Sequence, residues 1–199
     1  MSDTLVFAKD FSELSTEQFR VRMRPHAISI YKRMFGDCEI QDLREQGVRV
    51  HVLDKEFGID TLVTAPSGQW FSVQEKYRRN KFLVEPKLRL PGSDYPDFTQ
   101  EYTNAAGTQH ESPGEWFKLG AQLYFYGWAS ACEDGFAAWV LLNVPRYKII
   151  VERTPGGLDT LGKLIPNKEH GRATFYAIPV DRLRGAWIAQ HGLDIGIRP

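Results

Sequence analysis

The chain has 199 residues, of which 42% are hydrophobic and 13% aromatic, and its 25 basic and 25 acidic side chains give a formal net charge of zero. That length and apolar content fit one globular domain with a substantial core and argue against global disorder, while the balanced charge counts against a protein whose main task is to coat nucleic acid. Two cysteines, Cys38 and Cys132, cannot build a disulfide framework or a zinc-finger set, and with no apolar run behind a basic start and no window of membrane-spanning length the expectation is a cytoplasmic chain without membrane contact.

Ser15-Thr16-Glu17-Gln18 reads as a capping box that opens a short helix near Phe19. Pro25 suits the first turn of a second, stronger helix, PHAISIYKRMF, which Gly36 ends. Its apolar residues Ala27, Ile30, Tyr31 and Met34 recur at i, i+3, i+4 and i+7 and so share a face. A strand is expected from Val48 to Leu53, where valines alternate with Arg49 and His51, and a turn from Asp54 to Gly58. A second strand, Ile59 to Ala65, a turn over Pro66 to Gln69 and a third strand, Trp70 to Tyr77, complete an antiparallel meander. Prolines and glycines make 83–113 irregular, apart from a strand-like piece at Asp97 to Thr103; GEWFKLGA then forms a helical turn. Gln122 to Ser130 and Phe136 to Val144 make the clearest hairpin, apolar on both faces and therefore central. A helix from Pro145, an edge strand from Thr174 to Val180 and a final helix over Asp181 to Gln190 close the chain. The expected fold is α/β: one mixed sheet, an antiparallel meander plus additional strands, flanked by helices in a single domain over residues 1–199.

Side chains alternate along a strand, so Ser72, Gln74 and Lys76 share one face of the third strand while Phe71, Val73, Glu75 and Tyr77 share the other. The short connection from Ala65 to Gln69 sets Asp60 opposite Gln74, and Asp60, Gln74 and Lys76 then converge on one ion. A hard cation such as Mg²⁺ takes oxygen ligands. The Asp60 carboxylate, the Gln74 amide oxygen and the main-chain carbonyl of Glu75 would supply three. Lys76 would polarise the attacking water and stabilise charge at phosphorus, beside a metal acting as Lewis acid. Glutamine at the second position leaves the site one negative charge short of a two-carboxylate version, so a further acid is expected from Asp54, Glu45 or Glu75. Just downstream, Arg78, Arg79, Lys81, Lys87 and Arg89 stand against one acid, Glu85. That run is either a solvated surface or a face for a nucleic-acid backbone, with Tyr77, Phe82 and Tyr95 interleaved where aromatics stack on bases.

Gly58-Ile59-Asp60 followed by Val73-Gln74-Glu75-Lys76 resembles the active-site signature of the PD-(D/E)XK nuclease superfamily, in the Mrr-like form where glutamine precedes x-Lys. The resemblance covers roughly residues 20 to 145 and leaves a helix–strand–helix extension, 146–199, unmatched. It implies a restriction-endonuclease-like core and a Mg²⁺- or Mn²⁺-dependent (endo)deoxyribonuclease-like phosphodiesterase. DNA is then the commonest substrate, and two copies often pair as a homodimer to cut both strands. Carried over, Asp60 is the metal ligand, Gln74 takes the second ligand position and Lys76 is the catalytic lysine. Glu75 stands where the superfamily often has a small or apolar residue, which makes it an alternative metal acid. The neutral glutamine and zero net charge also fit a catalytically inactive module of the same fold that binds nucleic acid or a partner.

Overall fold

A single helix, α1 (Asp3–Phe35), stands where the sequence pattern reads as two. Pro25 lies inside it but on its wet side, and Val21, whose carbonyl Pro25 leaves without an amide, is 57% exposed, so the interruption falls on the solvent face of the helix. Phe19, Met23, Ala27, Ile30 and Tyr31 are buried along the inner face and hold the helix through the proline. Gly36, at φ +82°, ends it as its sequence position predicts. The computed structural model describes residues 3–43, 51–166 and 173–193.

Three strands, β1 (Glu39–Asp42), β2 (Thr61–Thr64) and β3 (Trp70–Arg78), pair antiparallel in that order. The meander is therefore present, but its first strand is not the expected one. Positions 48–50 lie outside the described residues, and His51–Phe57 form a helix, α2, with Val52 51% exposed. The place beside β2 that the expected strand would take is filled by β1. The turn between β2 and β3 closes through Ala65 N–H to the Gln69 carbonyl at 2.8 Å, with Gly68 at φ +81°.

After α3 (Lys81–Val84) and a 3₁₀ turn (Pro86–Leu88) come β4 (Asp97–Asn104), a two-residue β5 (Ser112–Pro113) and α4 (Glu115–Lys118). β6 (Leu123–Ala129), buried at every position, runs parallel to β3 and antiparallel to β7 (Phe136–Asn143), so the apolar hairpin is central as expected. Asn143 caps α5 (Val144–Arg153) by accepting the Arg146 N–H at 2.9 Å. The remaining elements are α6 (Leu158–Leu161), β8 (Lys163–Pro166), β9 (Thr174–Pro179), a 3₁₀ helix (Val180–Ala186) and β10 (Trp187–His191).

Two sheets result rather than one, a mixed six-stranded sheet ordered β1-β2-β3-β6-β7-β10 and a four-stranded sheet ordered β5-β4-β9-β8. β9 is consequently an inner strand, not an edge. The expected final helix is a 3₁₀ turn followed by β10, because Trp187 to His191 cover the edge that β7 would otherwise expose. α1 packs on one face of the larger sheet over Val73, Phe125 and Leu141, while the second sheet and α5 cover the other through Phe98, Tyr124, Tyr126, Tyr147 and Ile178. Among the described residues no helix is long and apolar enough to cross a membrane.

Asp97 opens β4 in a buried position, its Oδ2 accepting the Leu90 N–H at 3.0 Å. Burial pushes its carboxyl up to about 6, against the opposing pull of that N–H and of Arg89, Arg78 and Arg182. The folded chain thus keeps this proton through a range where the unfolded chain, with a carboxyl near about 3.9, has lost it. Stability contributed by the protonated form falls as pH rises through that window, and the penalty is complete above the folded value. Asp97→Asn should therefore gain about 1–2 kcal/mol on wild type between about pH 4 and pH 7.5, a figure reduced for solvent screening. Urea unfolding at both pH values measures it, and a gap that does not change with pH refutes it.

Candidate metal and nucleic-acid site

Asp60 precedes β2 by one residue and is 3% exposed. Its N–H donates to the Val73 carbonyl at 3.0 Å and its Oδ2 accepts the Glu75 N–H at 2.7 Å. The carboxylate thereby sits at the edge of β3 just where β2 stops. The Thr61↔Val73 pairing sets Asp60 level with Gln74, which is the register the turn length predicts. On β3 the Ser72 carbonyl accepts from Gln122 N–H at 3.1 Å, so even-numbered residues bond toward β6 and odd-numbered ones toward β2. The Glu75 carbonyl accordingly points to the same open edge as the Asp60 carboxylate.

Gln74 and Lys76 share the face turned toward the second sheet, as the alternation requires. Gln74 is 7% exposed and its Oε1 has no hydrogen-bond partner. Gly58 makes room for it: a Cβ there would stand 3.3 Å from that oxygen, and the backbone is at φ +54°. Lys76 Nζ donates to the Thr99 carbonyl at 3.3 Å and faces Glu115 Oε2 at 3.5 Å, while the other Glu115 oxygen accepts from the Tyr124 hydroxyl at 2.8 Å. Glu115 is thus the acid beside Lys76, and it is missing from the sequence-based candidates. Nothing local ties it to Lys76, which lies 39 residues away across an irregular segment. Of those candidates, Glu45 lies outside the described residues and Asp54 falls on α2.

The Glu75 carboxylate belongs to the opposite face, and this corrects its assignment as a side-chain metal ligand. Arg24 Nη1 reaches both its oxygens at 2.5 Å, and the hydroxyls of Tyr31 (2.8 Å), Thr61 (3.1 Å) and Tyr77 (2.5 Å) donate to it. Arg24 Nε also holds Asp42 at 2.9 Å. Burial first, and then the Glu75 charge, hold the Tyr31 and Tyr77 hydroxyls well above the usual phenol range, so both remain donors. Burial alone would weaken the Arg24 charge, but the Glu75 and Asp42 carboxylates outweigh it and raise its pKa. Only the main chain of Glu75 is left for an ion.

Most of the basic run is engaged within the chain. Arg79 pairs with Glu133 at 2.8 Å, Arg78 lies 3.8 Å over the Phe82 ring with Lys81 Nζ 5.1 Å from it, and Lys87 meets Glu85 at 3.1 Å. Arg89 donates to the carbonyls of Asp94 (2.7 Å) and Leu83 (2.5 Å). These contacts fasten the excursion from β3 to β4. The interleaved aromatics are likewise used inside: Tyr77 packs on Phe125 and Phe136, and Tyr95 lies beneath Arg184.

Among the described residues no three acids, histidines or cysteines gather closely enough to hold a metal by themselves. A cation would rest instead on a mixed oxygen set: the Asp60 carboxylate, the buried Gln74 amide oxygen and the Glu75 carbonyl. The orphaned Gln74 Oε1 fits a hard, oxygen-seeking ion, since a buried acceptor without a donor is otherwise costly. A cavity of about 270 Å³ opens beside Asp60, walled by Phe19, Arg20, Lys76, Tyr77 and Arg78. No protein-family model, curated protein or solved structure matches the chain.

Proposed function

We propose that the chain is a metal-dependent nuclease that hydrolyses phosphodiester bonds, with DNA as first substrate, on a restriction-endonuclease-like core. What carries the reading is the join between Asp60 and β3. A buried carboxylate is fixed to the Glu75 N–H, level with a buried amide oxygen that lacks a partner and one step from a lysine on the same face as that amide. The succession of α1, the meander and the β6–β7 pair, with β6 parallel to β3, is in line with the core that the signature implies.

A bound Mg²⁺ or Mn²⁺ would supply Lewis acidity toward the phosphate and a water of lowered pKa. The chain supplies the rest. Asp60 offers the charged oxygen, and Gln74 and the Glu75 main chain offer neutral ones. Lys76 brings a positive charge to the reacting phosphate and stabilises the negative charge that grows there.

Plasmid and single-stranded DNA incubated with Mg²⁺, with Mn²⁺ and with EDTA test the reading. Cleavage with either metal and none with EDTA is the expected result. Asp60→Asn should lose the cleavage together with the metal affinity read by calorimetry. Intact DNA throughout, with Asp60→Asn binding metal as wild type does, overturns the proposal. A second reading, a nucleic-acid-binding module without turnover, draws on the neutral Gln74 and on the pairing of Lys76 with Glu115. Salt-dependent binding without product would select it.

A further inference from the structure

α1 does not lie flush against the far side of the six-stranded sheet, and a cleft of about 750 Å³ opens between it and β7 and β10. Its size is that of clefts which hold small organic ligands. His26, Lys32 and Arg33 line it from the helix, Phe136, Trp139 and His191 from the sheet, and among the described residues no aspartate or glutamate lines it. The side chains of His26, Arg33 and His191 make no hydrogen bond or ion pair with described residues, and Lys32 has one loose partner, Asp37, at 3.6 Å and 95% exposed. These side chains are thus available, whereas the basic residues following β3 are mostly engaged.

The cleft lies on the α1 side of the six-stranded sheet, the face opposite Gln74 and Lys76, but at the same end of it. Tyr77, Gly127, Trp139 and His191 are successive partners across β3, β6, β7 and β10. The cleft therefore lies at the end of the sheet where β3 carries Lys76. Three strand spacings, on the order of 14 Å, separate Tyr77 from His191 along that row.

We propose that this cleft binds single-stranded nucleic acid. Arg33 and Lys32 take phosphate oxygens, the imidazoles of His26 and His191 add donors, and the half-buried ring of Phe136 receives a base. A duplex hides its base faces by stacking, so an aromatic wall inside a cleft selects an unpaired strand. Holding the strand that flanks the cut rests on the nuclease reading; the binding itself does not.

Fluorescence anisotropy of a labelled oligothymidine of about ten nucleotides, in EDTA so that nothing is cut, tests it. Wild type should bind saturably and in preference to a duplex of the same length. Arg33→Ala combined with His191→Ala should weaken binding by about tenfold and flatten its salt dependence. Lys163→Ala, an exposed cation on the second sheet, should bind as wild type. Arg33 and His191 are both exposed, so equal thermal midpoints are expected and serve as the folding control. Unchanged affinity in the double variant, no saturable binding in wild type, or displacement of the oligomer by polyglutamate as readily as by unlabelled oligothymidine overturns the proposal. The two readings fail separately: cleavage without any effect of the double variant on binding removes only the cleft, and cleft-dependent binding without cleavage removes only the nuclease.

Discussion

Glu75→Ala is expected to destabilise the fold by about 3–5 kcal/mol, the range found when one partner of a buried ion pair is removed. The side chains of Glu75 and Arg24 are 5% and 10% exposed, so water cannot replace the lost carboxylate. Arg24 would keep Asp42 at 2.9 Å, which limits the loss. The hydroxyls of Tyr31, Thr61 and Tyr77 would keep nothing, and each buried donor left without an acceptor costs about 1–3 kcal/mol. Glu75→Gln retains an acceptor of the same shape and should lose roughly half as much. Urea unfolding with an unchanged slope measures both, and a loss under about 1 kcal/mol in the alanine variant would refute the account. The size of the effect follows from what Glu75 joins: through Arg24 and Tyr31 it ties α1 to β3, the strand that carries Gln74 and Lys76.

Those strands were legible for a local reason. The period of two in Phe71, Val73 and Tyr77 against Ser72, Gln74 and Lys76 assigns both faces of β3, and a short turn leaves one register that pairs Asp60 with Gln74. The apolar runs on either side of Asp134-Gly135 mark β6 and β7 equally well. What failed depends on distant partners. Of the strand expected from Val48 to Leu53, 48–50 lie outside the described residues and 51–53 belong to α2, while the place beside β2 goes to Glu39–Asp42, which arrives straight from α1. Asp181 to Gln190 carries no strong strand pattern, and its second half becomes a strand because β7 has an open edge. The Glu75 carboxylate meets Arg24 across 51 residues, and Lys76 meets Glu115 along a path set by an irregular connection, so neither pairing leaves a local trace. The contacts of the basic run leave no local trace for a related reason: composition does not say which guanidinium will find a carbonyl, a ring or an acid inside the fold.

Lys76→Ala should reduce cleavage by at least about 10²–10³-fold, the usual cost of removing one group that stabilises transition-state charge. Its effect on stability should stay within about 1 kcal/mol. Both expectations come from the same geometry. The Lys76 side chain is 26% exposed, and its contacts with the Thr99 carbonyl (3.3 Å) and Glu115 (3.5 Å) are long. An ammonium held that loosely can leave them for a phosphate oxygen, and the fold loses little when it is deleted. Glu115 would still accept from the Tyr124 hydroxyl at 2.8 Å. Lys76→Arg should restore little, because a planar fork cannot stand in for a compact point charge at the same place. Metal affinity separates the roles: Lys76→Ala removes a nearby positive charge and should bind Mn²⁺ at least as tightly as wild type, whereas Asp60→Asn should bind it poorly. A Lys76→Ala protein that cuts DNA at the wild-type rate would show that the charge on β3 does not serve the reaction, and with it the assignment of Asp60 and Gln74 to the same site would fall.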